Sequence, residues 1–266
     1  MRVLTLNLQH GRPAATAPDA GARASAVTLR RAAEEIADVD PDVVLLQEID
    51  KVHPRSGGLD QAAFLAGELG MRHRFAANLI GGPGGIAVPT WTSDVRRGYG
   101  LALLTRLPVS TWHVRPLRGS GLRRAPGPWW SHRGWWPDVD RVFLAAVLRT
   151  DDGPLSVAVA HLSVMNDTAR SQLATCVDSL QSLPGPHLLG GDLNLGPKAV
   201  AAVAGGPEQQ GFAPLASALT FTNSRPRKQI DHLLGSGVAA VGTGRAHHLT
   251  VSDHAGLSVD VVRAAH

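Results

Sequence analysis

Polar residues recur in this 266-residue chain at one kind of place, the end of an otherwise apolar run. Asn7 interrupts VLTLNL, Glu48 follows VVLLQ, His161 follows LSVAVA, and Asp192 and Asn194 follow HLLGG. Asp231 interrupts QIDHLL, and Asp253 and His254 precede AGLSV. Taken singly, an acid or amide at such a place is an ordinary turn former, and a histidine after an apolar run is an ordinary hydrogen-bonded core residue. Together they suit phosphoester hydrolysis. Glu48, Asn7 and Asp253 are hard oxygen donors of the kind that hold magnesium or manganese. His254, with Asp231 to orient it, makes a carboxylate–imidazole pair for proton transfer or charge stabilisation. Asp192 and Asn194, two apart on a turn, are suited to hold an attacking water.

The elements that must position these groups are short, β-branched-rich runs bounded by turn formers. They predict strands at Arg2 to Leu8, Asp42 to Gln47, Gly100 to Thr105, Arg141 to Arg149, Leu155 to His161, His187 to Gly191, Gln229 to Leu234 and Ala255 to Val262. Helical spacing appears at Ala26 to Ala37, Leu59 to Leu69 and Thr168 to Leu183, the last capped by Asn166 or Asp167 and stopped by Pro184. Two batches of strands separated by helical segments predict two sheets packed face to face with helices outside, an α/β sandwich. The strands ending in VLLQE and LLGGDLN look like counterparts in two halves. Strand ends that open on one edge of a sandwich can converge on a ligand.

Length and composition fit one folded domain spanning residues 1–266. Cys176 is the sole cysteine, which excludes an intrachain disulfide and a thiolate metal cluster. No apolar run reaches the roughly eighteen residues of a membrane span, and no leader is recognisable after Met1, so a cytoplasmic enzyme is expected. No obligate protein partner is inferred. Basic residues are nearly all arginine, which suits phosphate recognition and is also what a GC-rich gene would encode. From Arg115 to Asp140 the chain is rich in Pro, Gly and Arg and holds Trp129, Trp130, Trp135 and Trp136. It reads as a long insertion between strands, whose tryptophans either form a satellite core or help to grip a substrate.

The segments MRVLTLNLQHG, PDVVLLQEID, GYGLALLTRLPV, AHLS, GGDLN, QIDHLL and SDHAGLSV, in this order, closely resemble the motif series of the endonuclease/exonuclease/phosphatase superfamily, the deoxyribonuclease-I-like phosphoesterases. The resemblance runs from residue 2 to about 262. It implies a four-layer α-β-β-α sandwich, two packed mixed sheets flanked by helices, and a Mg2+- or Mn2+-dependent hydrolase using direct water attack. By position, Glu48 matches the principal metal ligand beside Asn7, and Asp253 a ligand on the opposite side. Asp192 and Asn194 match the pair that orients and deprotonates water and contacts the phosphate, which makes Asn194 a substrate-binding candidate as well. His254 matches the phosphate-contacting histidine, Asp231 its partner, His161 a second catalytic histidine, and Arg141 a phosphate contact. Trp129 and Trp130 are further candidates for substrate binding. Ala160 stands where the family usually has threonine, which removes one hydroxyl.

The implied substrate is a phosphoester, whether nucleic acid, phospholipid or a small molecule, and the sequence does not choose among them. The competing reading is a noncatalytic nucleic-acid or membrane-surface binding module that kept the fold. Such a module has no physical need for a paired Asp231 and His254. A serine hydrolase is excluded by the lack of a G-x-S-x-G elbow.

Overall fold

The computed structural model describes residues 1–80, 96–124, 135–205 and 211–264. In chain order the first half holds β1 (Arg2–Asn7), α1 (Ala26–Val39), β2 (Val43–Lys51), α2 (Gln61–Leu69), β3 (Arg72–Ile80), β4 (Gly98–Thr105), β5 (Val109–Leu117), β6 (Gly121–Arg124) and β7 (Trp135–Asp138). The second half holds β8 (Arg141–Thr150), β9 (Gly153–His161), α3 (Asn166–Gln181), β10 (His187–Asp192), α4 (Pro197–Ala204), β11 (Ala213–Pro214), β12 (Asp231–Ser236), β13 (Val238–His247) and β14 (Gly256–Arg263).

Among the described residues the strands form two mixed six-stranded sheets, ordered β13-β14-β1-β2-β4-β3 and β11-β12-β10-β9-β8-β5, plus the β6–β7 ribbon. Each large sheet is built around one parallel pair, β1 with β2 and β9 with β10, joined through α1 and α3 respectively. Antiparallel strands flank both pairs. The two halves suspected from VLLQE and LLGGDLN are therefore the same β-α-β unit, once in each sheet.

Burial divides into three layers of apolar contact. Val3, Val43 and Leu45 meet Leu144, Val157, Leu188 and Leu233 between the sheets. The alternate residues of the same strands, Leu4, Leu6, Val44 and Leu46, turn outward to Leu29 and Ile36 of α1 and Leu65 of α2. On the far side Ala145, Ala158 and Leu189 pack under Leu173, Cys176 and Leu180 of α3, with Val200 of α4. Central strands buried on both faces read as unbroken apolar runs, which is why they were visible in the sequence. The result is the four-layer α-β-β-α sandwich expected.

Local chemistry explains the helix starts. Ser25 Oγ accepts from Thr28 N at 3.3 Å while Thr28 Oγ1 accepts from Ser25 N at 2.9 Å, a reciprocal cap on α1. Asp60 Oδ1 caps α2 through Ala63 N at 3.1 Å. The cap expected from Asn166 or Asp167 does not form: Met165 occupies that position with no side-chain bond. Asp167 lies in the first turn, where it accepts an ion pair from Arg123 at 2.6 Å and a favourable interaction with the helix N-terminus.

The stretch from Arg115 to Asp140 is more regular than its composition suggests. Arg115, Pro116 and Leu117 complete β5, pairing with Phe143, Val142 and Arg141. Gly121 to Arg124 pairs antiparallel with Trp135 to Asp138. Asp138, buried, ties this ribbon to the body: it accepts from Ser120 N at 3.1 Å, Ser120 Oγ at 2.5 Å and Ser163 Oγ at 2.6 Å. Trp135 is 71% exposed. Trp129 and Trp130 lie outside the described residues, as does the side chain of Trp136. Among the described residues no helix is long and apolar enough to cross a membrane.

Candidate active site

Strand register does much of the positioning. His161, Asp192 and Asp231 are direct neighbours across three adjacent strands, since Asp192 of β10 pairs with His161 of β9 on one side and Asp231 of β12 on the other. Gly191, just before Asp192, has φ 146° and no room for a side chain, because a Cβ there would lie 1.9 Å from the Ala160 carbonyl oxygen. The row is thereby drawn close together. Beyond the strand, Asn194 takes a left-handed φ of 51° and donates its backbone N to Asp192 Oδ1 at 3.1 Å and its Nδ2 to Leu162 O at 3.0 Å.

The other sheet brings the facing groups. Asn7, the last residue of β1, donates Nδ2 to Asp192 Oδ2 at 3.1 Å and to Glu48 Oε1 at 3.2 Å, thus spanning the two sheets. Its Oδ1 is fixed by Gln9 N at 3.0 Å, which also fixes which end of the amide faces the carboxylates. Glu48 sits where the β2–β4 register slips, with φ 54°, so a bulge turns its carboxylate out of the pleat. Tyr99 of β4 hydrogen-bonds to Glu48, and Arg55 stacks on the Tyr99 ring at 5.1 Å.

Ser252 is the hinge for the last pair. Fully buried, it donates Oγ to Asn7 O at 2.6 Å and accepts His254 N at 3.0 Å, locking the segment before β14 onto the end of β1. His254 Nδ1 then meets Asp231 at 2.9 Å, and its Nε2 points toward Asp192 Oδ2 at 3.8 Å. His161 Nε2 approaches the same Asp192 oxygen at 3.6 Å. The ring of Phe221 packs on His254 at 4.9 Å.

Burial and neighbouring charges set opposite protonation tendencies in this cluster. Burial opposes a charged His254, but Asp231 and then Asp192 outweigh it and push its pKa up to about 10. Burial pushes Asp192 up to about 7, against the pull of His254 in the other direction. His161 is driven well below the ordinary imidazole range, by burial first and then by the Arg141 charge and His254. Arg141 is thus close enough to act electrostatically on His161, and its Nε is buried with no hydrogen-bond partner among the described residues.

The sequence candidates Asn7, Glu48, His161, Asp192, Asn194, Asp231 and His254 are joined by these contacts. The Asp253 carboxylate is half-buried beside them and makes no hydrogen bond or ion pair among the described residues. Ligand atoms of Asp192, Asp231 and His254 lie within 4.8 Å of one another, a spacing that a metal could use. Within that trio His254 Nδ1 and Asp231 are already hydrogen-bonded to each other at 2.9 Å. Sequence reasoning missed Ser252 and Tyr99. Ser252 stands inside the quoted SDH segment, and Tyr99, the sole tyrosine, stands inside GYGLALL.

The model of the Endonuclease/Exonuclease/phosphatase family matches residues 4–254. A search of curated protein sequences gave no match. Solved structures of the same fold include an endonuclease/exonuclease/phosphatase from Beutenbergia cavernae DSM 12333, 22% identical, with TM-score 0.73 over 100% of this chain and 72% of that one. A mannosyl-6-phosphatase of Bacteroides thetaiotaomicron VPI-5482 is 16% identical, with TM-score 0.65 over 98% and 99% of the two chains. The human Nocturnin catalytic domain with bound sulfate is 18% identical, with TM-score 0.65 over 99% and 94%. With the family match running from the first strand through His254, the chain belongs to the Endonuclease/Exonuclease/phosphatase family.

Proposed function

We propose that the chain is a divalent-metal-dependent phosphoesterase that cleaves its ester by in-line attack of water. The carrying observation is the convergence of His161, Asn7 and His254 on one buried carboxylate, Asp192, with Asp231 behind His254. Grouping these ionisable side chains away from water is costly, and the apolar layers around them do not need it. A phosphatase among the structural neighbours is in keeping with this reading.

The donor set fits a hard cation of the magnesium or manganese class. Glu48 offers a half-buried carboxylate on a bulge, and Asp253 another with no partner among the described residues, while Asn7 keeps its amide nitrogen toward Glu48. When bound, such an ion would neutralise phosphate charge and lower the pKa of water. Asp192, held by Asn7 and the Asn194 backbone, takes the proton of the attacking water at a carboxylate whose pKa of about 7 suits neutral conditions. His254, cationic and oriented by Asp231, donates through Nε2 to a nonbridging phosphate oxygen as charge builds there. His161, kept neutral, offers a hydrogen bond without competing for the proton, and Arg141 supplies positive charge to the phosphate.

The test is hydrolysis of bis(p-nitrophenyl) phosphate with added magnesium or manganese, for the wild type and Asp192→Asn. Metal-stimulated turnover that EDTA and the substitution both remove is expected. Binding of nucleic acid or vesicles without turnover of any phosphoester would favour the noncatalytic module instead.

A further inference from the structure

A cavity of about 510 Å3 is lined by His10, Arg12, Arg23, His53, Pro54 and Arg55, together with Gly21, Ala22 and Ala24, and its Arg55 feels the charge of Glu48. Two of its lining residues, His10 and Arg55, link it to the candidate active site. His10 follows Gln9, whose backbone N binds Asn7 Oδ1 at 3.0 Å. Arg55 stacks on Tyr99 at 5.1 Å, and Tyr99 hydrogen-bonds to Glu48.

The walls are built and braced. Gln9 and His10 both adopt left-handed backbone, with φ 46° and 49°, and Gly11 follows at φ 76°. Gln61, fully buried, donates Nε2 to His10 O at 2.7 Å and accepts Asp50 N at 2.9 Å, which ties the loop after β1 to β2. Thr28 Oγ1 holds Gly11 O at 3.2 Å. His53 Nδ1 accepts Arg55 N at 3.1 Å. Non-glycine residues held in left-handed conformations by surrounding bonds are a mark of functional loops.

Charge in the cavity is one-sided. Asp50 is completely buried and committed to Arg55 through two bonds of 2.8 and 2.7 Å. The guanidiniums of Arg12 and Arg23 are exposed and make no ion pair among the described residues, and His10 Nδ1 is buried there without a partner. Arg97 adds a further cation near His53. Cationic donors in excess, carried by a braced loop, suit a phosphate group. A volume of a few hundred Å3 is that of a small-molecule pocket and not of an extended groove.

We propose that this cavity is a second phosphate subsite, and that the substrate is a small molecule whose other phosphate sits there while the scissile ester lies between Glu48 and His254. The substrate assignment rests on the phosphoesterase reading above; the anion subsite can be tested without it. Isothermal titration calorimetry with inorganic pyrophosphate, run in EDTA on the full chain, reads anion binding without metal, and the arginine substitutions assign it to the cavity. Wild type and Glu48→Gln are expected to bind it, and the Arg12→Ala/Arg23→Ala protein to bind about tenfold or more weakly at an unchanged melting temperature. In a turnover arm, thymidine 5′-(p-nitrophenyl phosphate) is compared with its 3′-phosphorylated form. The added phosphate should lower KM in wild type, with that advantage gone in the double variant and kcat retained. Absence of turnover with pyrophosphate binding intact would strike the phosphoesterase reading and leave the subsite standing. Equal pyrophosphate affinity in wild type and double variant overturns the subsite. So does an arginine-dependent affinity for oligothymidylate or for phosphatidylserine vesicles with none for pyrophosphate.

Discussion

Replacing Asp138 by alanine removes the acceptor on which the β6–β7 ribbon is fastened. The carboxylate is 3% exposed and receives Ser120 N, Ser120 Oγ and Ser163 Oγ, with Thr168 Oγ1 bonded in turn to Ser120 Oγ at 3.0 Å. One of these donors, the buried Ser163 hydroxyl, is left without its acceptor away from water, whereas the exposed Ser120 can turn to solvent, so the expected loss is about 1–3 kcal/mol. Burial alone would raise the Asp138 pKa, but the bonds from Ser120 and Ser163 outweigh it and hold it below the ordinary carboxylate value. The sign follows: a group depressed in the folded state stabilises fully above its unfolded pKa of about 3.9 and loses that contribution as pH falls through the folded value. Urea denaturation of wild type and Asp138→Ala, from pH 7 down to the acid limit of folding, should show a gap that narrows at the acid end. Amide exchange in Gly121–Arg124 and Trp135–Asp138 should accelerate together. A difference below about 0.5 kcal/mol at pH 7, the size of an ordinary surface substitution, would refute the reasoning. So would a gap that does not change with pH.

Other outcomes are equally open to measurement. Glu48→Gln should weaken calorimetrically measured magnesium or manganese binding and abolish metal-stimulated diester hydrolysis; unchanged affinity would move the metal elsewhere. His254→Ala should lower kcat about a hundredfold or more, as expected for a lost preorganised donor, and Asp231→Asn should lower it less, because the donor survives in a looser orientation. The reverse ranking in folded protein would exchange their roles. Gly191→Ala should destabilise the chain and depress turnover together, since its Cβ would meet the Ala160 carbonyl at 1.9 Å. A variant with wild-type melting and activity would mean that β9 and β10 separate easily.

Apart from the β6–β7 ribbon, the strands that the sequence hides are the ones at the rims. β3, β5, β11 and β13 end the two large sheets, and none of them was predicted. Central strands such as VVLLQ are apolar on both faces, whereas RHRFAANLI, VSTWHVRPL and VAAVGTGRAH mix charges, polar residues and glycine on a solvated side. β13 also carries a bulge between Val241 and Arg245, which breaks its alternation. The site candidates were legible because strand ends concentrate them. What joins them was not. Neither the bulge at Glu48 nor the turned amide of Asn7 has a signal in residue type. Ser252 looks like any loop serine until its hydroxyl is seen bridging Asn7 O and His254 N.

Asn7, Glu48 and Tyr99 belong to one sheet, with His254 just before its strand β14, while His161, Asp192, Asp231 and Arg141 belong to the other. Between them lies the apolar layer of Val3, Leu45, Leu144, Val157 and Leu188, remote in chemistry from any phosphate. The spacing of the reacting groups is therefore governed by the thickness of a hydrocarbon interface. A methyl group lost or gained there changes how the sheets seat on each other, and the Asn7–Asp192 bond that spans them is only 3.1 Å long. Substitutions of similar volume in this layer would tune turnover smoothly while leaving every polar residue in place. On the phosphoesterase reading proposed above, selection on activity can thus act through leucines and valines of this layer.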